Sequence, residues 1–458
     1  MLQRLSAVLA ASILTAVPLT AQTSRAEQIA IMDSIAGSPI VEGRVAGLAV
    51  AVVRGSDTLL MKGYGMADLE WRIPMPVDAV FEIGSVTKQF TAAAILQLRD
   101  QGKLDLDADL SRYLPEFNTQ GHRIAVRRLL DHTSGMKGAT EMESFGTINT
   151  EDLPRDTLLD LIAAEPFDFA PGEALIYNNS AYILLGHIIA KVSGRSYEDY
   201  VETELFAKLG MTRSSYCSNT DVVPRKARGY RLRQEGLIQG SYTNHLWPYS
   251  AGSLCSTVGD LVTWLRALHG GQVLPDSSYR EMITPGTLND GTPVRYAMGL
   301  ALHDPRGRPA IGHGGAIGSG FVAHTAYYPD ENLIVVMLVN TAGNLSPAAL
   351  STEMVDVLLP RPPMEQKRFA GDAAPLVGTY SGPARGRAMT VTVTLTGKGI
   401  AVAADSGRPA PLSWVEGWTF QRGPTQLIMF QRDGSAGPAT VVHVDGGGSH
   451  YVLRRQPE

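Results

Sequence analysis

Two apolar runs that lie far apart in the chain constrain its fold more than any other feature. Val45–Val53 and Leu333–Asn340 are each long enough for one buried strand, and each neighbours a second strand-like run, Thr58–Tyr64 and Phe321–Tyr328 respectively. Between these pairs the hydrophobic pattern is mainly helical. Strands at both ends with helices between them predict one antiparallel sheet built by both ends, flanked by helices and carrying a helical insertion. The expected fold class is therefore α+β, an α/β sandwich.

The pattern changes after residue 359. Pro360-Arg361-Pro362-Pro363 begins a stiff linker, which we place at residues 360–368. Residues 369–458 contain short alternating runs separated by turn residues. Such runs predict a small all-β domain, either a barrel or a sandwich.

The first residues have the pattern of a signal peptide. Residues 1–21 carry Arg4, an apolar run and a small-residue ending, so we expect cleavage near Ala21, with Ala26 as the alternative. No later segment is long and apolar enough to span a bilayer. The mature protein is therefore expected to be exported, to the periplasm or the extracellular space. There, Cys217 and Cys255 can form a disulfide, and two free buried thiols are the alternative.

Composition excludes several classes of function. The 458 residues carry a net charge of −5 and no basic run, so no nucleic-acid partner is expected. The ten histidines show no His-x-x-x-His or His-Glu ligand pattern, so we predict no metal site and no cofactor. The chain has no Gly-x-Ser-x-Gly elbow, which disfavours an α/β-hydrolase. The oligomeric state stays open.

Ser85-Val86-Thr87-Lys88 is the first candidate catalytic motif. It is followed at once by an Ala- and Leu-rich run without Gly or Pro, which predicts a buried helix. Lys88 is one helical turn from Ser85, so its amine can approach the serine hydroxyl and take its proton. The alternative is a helix-capping serine with a surface lysine. A second match, Ser134-Gly135-Met136-Lys137, has no helical run behind it.

Two further motifs follow downstream. Tyr177-Asn178-Asn179 lies on a loop before a helix, where a tyrosine can act as a base and Asn179 can hold the lysine or a substrate amide. The alternative is a core tyrosine with a helix-capping asparagine. His313-Gly314-Gly315-Ala316 lies on a late strand, where glycines allow close approach to a ligand and expose backbone N–H groups. The alternative is a bulged strand.

These three motifs, in this order, resemble those of the class C β-lactamase and penicillin-binding-protein-like serine hydrolases. That family also includes D-aminopeptidases and certain esterases. The resemblance covers about residues 30–358, and we place the catalytic domain at residues 27–359. The C-terminal domain resembles lipocalin-like modules. Three supporting segments match as well: Leu129–Met136, Pro171–Glu173 and Ala251–Thr257.

The resemblance implies a role for each residue. Ser85 is the acylated nucleophile, Lys88 assists its deprotonation, and Tyr177 transfers protons as general base and acid. Asn179 contacts the substrate, and the backbone N–H groups of Ser85 and Ala316 form the oxyanion hole. Which of Lys88 and Tyr177 takes the first proton is left open, because coupled groups titrate together.

One departure from the family bears on the substrate. Where β-lactamases of this class carry Lys-Thr-Gly, this chain has His313-Gly314-Gly315. A histidine with a pKa near 6.5 is mostly neutral at pH 7, which weakens carboxylate recognition unless Arg306 or Arg308 substitutes. We therefore expect D-amino-acid amides, peptides or esters rather than β-lactams. The competing hypothesis is a non-turnover sensor that binds peptidoglycan fragments.

Overall fold

The computed structural model describes residues 23–457, apart from residues 305–306, 361–368, 398, 424, 433, 435–436 and 447. The predicted signal peptide, Arg306 and most of the predicted linker thus lie outside the described residues. Ser24 caps the first helix, Arg25–Val41, by accepting a hydrogen bond from the backbone N–H of Glu27. None of the helices in the described part of the chain is both long and apolar enough to cross a bilayer.

The central sheet has seven strands and unites both ends of the first domain. The strand Gly47–Arg54 pairs antiparallel with Leu333–Val339, with Val50 opposite Met337. Helices cover both faces of these two strands, which explains why their apolar runs are continuous rather than alternating. In spatial order the strands are Ile73–Pro74, Asp57–Asp68, Gly47–Arg54, Leu333–Val339, Val322–Tyr328, Ala310–Ala316 and Ala301–His303.

Helices pack on the two faces of this sheet. Arg25–Val41 and Pro347–Leu358 cover one face, and the helical insertion covers the other. Thr87–Asp100 is a deeply enclosed helix of the insertion, with eleven of its fourteen residues buried. The remaining α-helices of the insertion are Val126–Leu130, Phe145–Ile148, Arg155–Ala164, Asn179–Ser193, Tyr197–Val201, Ala207–Leu209, Tyr249–Gly252, Val258–His269 and Asp276–Ile283, with a π-helical turn at Glu202–Phe206 and 3-10 turns at Leu110–Arg112 and Ala139–Glu141.

Two small sheets brace the insertion. In one, Leu254–Ser256 lies between Phe81–Glu82 and Ser215–Tyr216, so that Cys255 is the partner of Glu82 in the ladder. A disulfide joins Cys255 to Cys217 beside this sheet. The other sheet consists of Thr341–Ala342, Tyr230–Arg233 and Gly236–Gln239.

The C-terminal domain is one nine-stranded sheet that curls into a nearly closed barrel. Its two edge strands, Ala410–Pro411 and Ser413–Glu416, are neighbours in the chain, so the edges of the sheet come back together. Its own core includes Tyr380, Phe420 and Leu453. The other strands are Gly378–Ala384, Arg387–Thr396, Gly399–Ala404, Thr419–Arg422, Gln426–Arg432, Ala439–Gly446 and Ser449–Arg455.

The C-terminal barrel is joined to the first domain by backbone hydrogen bonds. Leu175 and His450 exchange N–H···O bonds of 3.2 and 2.8 Å. The Ser449 hydroxyl accepts a further bond, 3.2 Å long, from the backbone N–H of Tyr177. The barrel thus contacts the loop that carries one of the sequence-predicted site residues.

Candidate active site

Ser85 lies in a tight turn at the entrance of a buried helix. The 3-10 turn Gly84–Val86 runs directly into the helix Thr87–Asp100. Gly84 has a φ of +52°, and a Cβ atom there would lie 2.8 Å from the backbone nitrogen of Ala316. A side chain at position 84 is therefore excluded by backbone conformation and by space. The glycine allows the turn to lie against the strand that ends at Ala316, with Ser85 at the positive end of the helix dipole.

Lys88 is fully buried one turn after Ser85. Its Nζ atom lies 3.1 Å from Ser85 Oγ, 2.8 Å from Asn179 Oδ1 and 2.8 Å from the carbonyl oxygen of Ala251. The two carbonyl oxygens can only accept hydrogen bonds. A neutral amine has two N–H groups, so it donates to both oxygens and its lone pair faces the serine hydroxyl. This is the orientation that a base for Ser85 requires.

The surroundings of Lys88 favour its neutral form. Burial lowers the pKa of Lys88 well below its usual value, and the Arg385 guanidinium lowers it further, whereas Glu141 raises it. The Nζ atom also lies 4.8 Å from the ring centre of Tyr177 and 5.3 Å from that of Tyr182. Aromatic faces attract an ammonium group, so the same position suits Lys88 after it has accepted a proton.

Tyr177 lies immediately before the helix Asn179–Ser193, with its ring packed against His132 at a centroid distance of 4.4 Å. Burial raises the pKa of Tyr177, and the nearby Ser85 and Arg385 offset only part of this rise. Tyr177 is therefore a neutral phenol at pH 7. Its hydroxyl has no hydrogen-bond partner of ordinary geometry among the described residues, although it is buried. A buried hydroxyl without a partner is available to a substrate atom.

The two consecutive asparagines have different tasks. Asn178 Oδ1 accepts a bond of 3.0 Å from the backbone N–H of Ala181 and caps the helix. Asn179 Oδ1 accepts from Lys88, while its Nδ2 donates to Thr140 Oγ1 over 3.1 Å. These two partners determine which way the Asn179 amide points. The capping function that sequence offered as an alternative therefore belongs to Asn178.

His313 is buried between two tyrosines. Its ring centroid lies 5.9 Å from that of Tyr177, and its Nε2 lies 2.9 Å from the Tyr296 hydroxyl. Its Nδ1 lies 2.5 Å from the Gly314 carbonyl, so Nδ1 carries the proton and Nε2 accepts from Tyr296. Burial is the main cause that lowers the pKa of His313 to about 3, and Lys88 adds to this effect in its protonated form. The imidazole is thus neutral at pH 7.

The backbone after His313 contacts the turn Gly84–Val86, which carries Ser85. A Cβ atom at Gly315 would lie 2.0 Å from the carbonyl oxygen of Ile83 and 3.3 Å from the backbone nitrogen of Ser85. Ala316 lies against Gly84 in the same way. The nitrogens of Ser85 and Ala316 therefore belong to two segments in direct contact, as an oxyanion hole built from both requires.

A cavity of about 480 Å³ opens in front of Ser85. Three of the sequence-predicted site residues form part of its wall, namely Ser85, Asn179 and Ala316. The described wall residues do not include Lys88, Tyr177, His313, Gly314 or Gly315. Its apolar side is formed by Phe145, Ile183, Trp247, Pro248 and Ile317. A partly apolar cavity of this size is suited to the acyl portion of a small substrate.

Second copies of two motifs lie elsewhere. Lys137, in the second Ser-x-x-Lys, pairs with Glu165 over 2.7 Å instead of reaching Ser134. A second Tyr-x-Asn triplet, Tyr242-Thr243-Asn244, has an exposed tyrosine, and its asparagine donates to the carbonyl oxygen of Glu151. Only the first copies converge on Lys88.

Sequence reasoning missed several groups around the site. Thr140, Glu141 and the Ala251 carbonyl surround Lys88 and Asn179, and Arg385 from the C-terminal barrel lies over the Tyr177 ring at 5.5 Å. The segment that contains Ala251 matches a supporting segment of the family, but no sequence signal indicates Arg385. Within the described ranges, no cluster of three or more His, Cys, Asp and Glu side chains is arranged to hold a metal ion.

Comparison with known proteins defines the class. Residues 26–358 match the family model described as Beta-lactamase, and the chain belongs to that family. It is 30% identical over 336 residues to a D-aminopeptidase of Gluconobacter oxydans (strain 621H). That match includes 73% of this chain and 62% of the relative, so the chain spans less than two thirds of that protein.

Two solved structures share the fold. A D-stereospecific amidohydrolase from Streptomyces sp. is 26% identical, with a TM-score of 0.62 over 72% of this chain and 98% of that chain. The octameric penicillin-binding protein homologue from Pyrococcus abyssi is 24% identical, with a TM-score of 0.63 over 93% of this chain and 100% of that one. The second match extends over most of this chain, and at this identity it shows the fold alone.

Proposed function

We propose that the protein is an exported serine hydrolase that cleaves amide or ester bonds through an acyl-enzyme on Ser85. The observation that carries this proposal is the set of contacts of Lys88. Two carbonyl acceptors, Asn179 Oδ1 and the Ala251 oxygen, occupy the N–H groups of a neutral amine and direct its lone pair at Ser85 Oγ. Burial of Lys88 maintains that neutral form.

The first chemical step is acylation. The Ser85 hydroxyl gives its proton to Lys88 as Oγ attacks the substrate carbonyl carbon, and the carbonyl oxygen becomes an oxyanion. The backbone N–H groups of Ser85 and Ala316 stabilise this oxyanion. Tyr177, still a phenol, donates its proton to the leaving nitrogen or oxygen as that bond breaks, and Lys88 returns a proton to Tyr177. The acyl group then remains on Ser85.

Deacylation reverses these roles with water as nucleophile. The same pair removes a proton from the water, a second oxyanion forms, and Ser85 leaves with a proton. Lys88 as first acceptor is favoured by its lowered pKa, because the raised pKa of Tyr177 makes the phenol a poor base at neutral pH.

The substrate class follows from His313 and from the cavity. A neutral imidazole gives no charge to a substrate carboxylate of the kind that β-lactams carry. The D-aminopeptidase and D-stereospecific amidohydrolase among the relatives support D-amino-acid substrates. We therefore propose D-amino-acid amides, peptides or esters, with the acyl side chain in the cavity.

Export is proposed on separate grounds. The pattern of residues 1–21 is that of a secretory leader. The Cys217–Cys255 disulfide is consistent with an oxidising compartment, periplasmic or extracellular.

The competing function is a sensor that binds peptidoglycan fragments and keeps its acyl group. A chromogenic panel separates the two: D-alanyl and L-alanyl p-nitroanilide, p-nitrophenyl butyrate and a chromogenic cephalosporin. We expect repeated turnover with D-alanyl p-nitroanilide or the ester, and much slower cephalosporin hydrolysis. A single burst equal to the enzyme concentration, without steady turnover, would support the sensor.

The matched control uses the second Ser-x-x-Lys copy. Ser85→Ala should abolish turnover and covalent labelling by a fluorophosphonate, whereas Ser134→Ala should keep both. Equal activity in Ser85→Ala and the unmodified protein would contradict the site, and no labelling of the unmodified protein would contradict the enzyme.

A further inference from the structure

The C-terminal barrel sends one hairpin tip to the catalytic domain. The hairpin formed by Gly378–Ala384 and Arg387–Thr396, which we term the Arg385 hairpin, has Arg385 and Gly386 at its tip. A Cβ atom at Gly386 would lie 2.8 Å from Glu141 Cβ, so the tip is pressed against that residue. A larger residue would hold the tip away from Glu141.

Arg385 makes two contacts from this tip. Its Nε donates to Glu141 Oε1 over 2.9 Å, and its Nη2 donates to the same carboxylate. Its guanidinium carbon lies 5.5 Å from the centre of the Tyr177 ring, within the range of a cation–π contact. One side chain of the barrel thus touches both an acid and the proposed proton donor.

A chain of hydrogen bonds leads from Glu141 to the nucleophile. The Thr140 hydroxyl donates to the Glu141 carboxylate over 2.9 Å and accepts from Asn179 Nδ2 over 3.1 Å. The other end of that amide, Oδ1, accepts from Lys88 over 2.8 Å, and Lys88 faces Ser85. Because a carboxylate can only accept hydrogen bonds, Glu141 fixes the donor and the acceptor of every hydrogen bond in this chain.

We propose that Arg385 is a positioning residue of the active site: it secures Glu141 and, through Thr140, the Asn179 amide that holds Lys88, and it covers the Tyr177 ring. This inference rests on the proposed hydrolase function and deepens it. The C-terminal barrel is then part of the catalytic unit rather than an appended module.

The charge of Arg385 supports the same assignment. Arg385 lowers the pKa of both Lys88 and Tyr177, and Glu141 raises both. Burial is the larger cause of both pKa shifts, and Arg385 and Glu141 adjust them in opposite directions. The other titratable side chains that face Lys88 and Tyr177 are His132, Tyr182, Tyr296 and His313, and Asp168, whose pKa burial raises to about 6, lies beside Glu141 and Gly386.

A purely structural ion pair would behave differently. The Arg385 side chain is 40% exposed and that of Glu141 is 13% exposed, and a solely structural pair between them would change stability without moving the pH profile of kcat/KM. Arg387, two residues along the same hairpin, is 61% exposed and pairs with Asp405 within the barrel. Arg387→Gln is therefore a matched control, with the same charge change on the same hairpin but no contact to Tyr177 or Glu141.

The test is the pH profile of kcat/KM on the best substrate of the panel, measured with the full-length mature protein. Loss of the guanidinium removes a cation that disfavours protonation of Lys88 and leaves Glu141 unpaired. We expect Arg385→Gln to move the acidic limb of the kcat/KM profile to higher pH by about one unit. At pH values below the limb, this shift corresponds to about a tenfold loss of kcat/KM. Arg387→Gln should leave the limb in place, and Arg385→Lys, which keeps the positive charge, should leave it close to its position in the unmodified protein.

Glu141→Gln supplies an independent measurement if Arg385→Gln folds poorly. Removal of the anion should move the limb downwards, and the double variant with Arg385→Gln should lie between the single variants. An acidic limb that is identical in Arg385→Gln, Arg387→Gln and the unmodified protein, while Ser85-dependent turnover persists, would overturn the positioning role and leave the hydrolase proposal standing. Absence of any Ser85-dependent turnover in the unmodified protein would overturn both.

Discussion

The Tyr296 hydroxyl lies 2.9 Å from Nε2 of His313 and fixes the imidazole with its proton on Nδ1. The family resemblance implies a lysine at this position, whereas His313 is a neutral hydrogen-bonded group whose pKa burial lowers to about 3. The position therefore contributes shape and polarity to the site, but no charge. This difference leads to a prediction about substrate choice.

Carboxylate recognition at position 313 is expected to be weak. Between two matched ester substrates, one with a free carboxylate beside the scissile bond and one with it methylated, kcat/KM should differ by less than about tenfold, or 1.4 kcal/mol. His313→Lys should raise preference for the free carboxylate by about 10- to 100-fold, the range of a hydrogen bond between charged groups. Because both substrates are measured on the same protein preparation, partial misfolding of the variant does not change the ratio of their kcat/KM values. A strong carboxylate preference in the unmodified protein would contradict the prediction.

Lys88 offers a direct test of the proton transfer. Lys88→Met keeps a similar apolar stem and removes the amine, so kcat should fall by about 10²- to 10⁴-fold, the usual effect of losing a general base. Because the residues act as a unit, the double variant Ser85→Ala/Lys88→Met should be no less active than Ser85→Ala alone. Loss of the amine also leaves the Asn179 Oδ1 and Ala251 acceptors without their donor, at a cost of about 1–3 kcal/mol each, so kcat is measured at a temperature at which denaturant titration shows the variant to be folded. Undiminished kcat in Lys88→Met would exclude the amine as base.

Much of the first domain was predictable because its signals are local. The buried strands Val45–Val53 and Leu333–Asn340 were read from apolar runs, and the structure joins them at Gly47–Arg54 and Leu333–Val339 in one antiparallel sheet. The helix Val258–His269 was predicted with its observed ends. The prediction of a small all-β C-terminal domain was also correct, and the curled nine-stranded sheet makes the barrel alternative the right one.

The environment of the site was less predictable. The order of the three motifs brought Ser85, Lys88 and Tyr177 together as candidates, but the partners of Tyr177 come from distant segments. Arg385 lies in an Arg-Gly-Arg turn that resembles any solvent-exposed hairpin tip, and its contact with Glu141 depends on how the barrel packs against the first domain. Periodicity and motif spacing contain no information on such packing.

The disulfide leads to a prediction about stability. Cys217 and Cys255 close a loop with a sequence separation of 38, for which chain entropy predicts about 4 kcal/mol of stabilisation. Replacing both with serine should lower the free energy of unfolding by about that amount, measured by denaturant titration. Cys255 pairs with Glu82, which lies just before the turn Gly84–Val86. The double variant should therefore lose activity at a lower temperature than the unmodified protein, but its kcat at 25 °C should be unchanged. An unchanged midpoint in the double variant would contradict this account.

Buried neutral histidines predict that the fold weakens in mild acid. Burial lowers the pKa of His313 and His324 to about 3 and that of His132 well below its usual value. In the unfolded chain these groups take up protons near pH 6.5, so below that pH the unfolded state binds more protons and stability falls as pH falls towards 3.

Asp131 opposes the histidines in part, because burial raises its pKa to about 6 and it gains its proton first in the folded state. Among the described residues, buried histidines with a lowered pKa, which also include His187, His269 and His443, outnumber the buried aspartates with a raised pKa, Asp131 and Asp168, so the free energy of unfolding should fall as the pH falls from about 6 towards 4. Denaturant titrations at pH 7.5, 6.0 and 5.0 measure this fall in the free energy of unfolding, and His324→Gln should reduce its slope by about 1.4 kcal/mol per pH unit. A free energy of unfolding that is constant from pH 7.5 to 5.0 would show that these histidines are not buried as neutral groups.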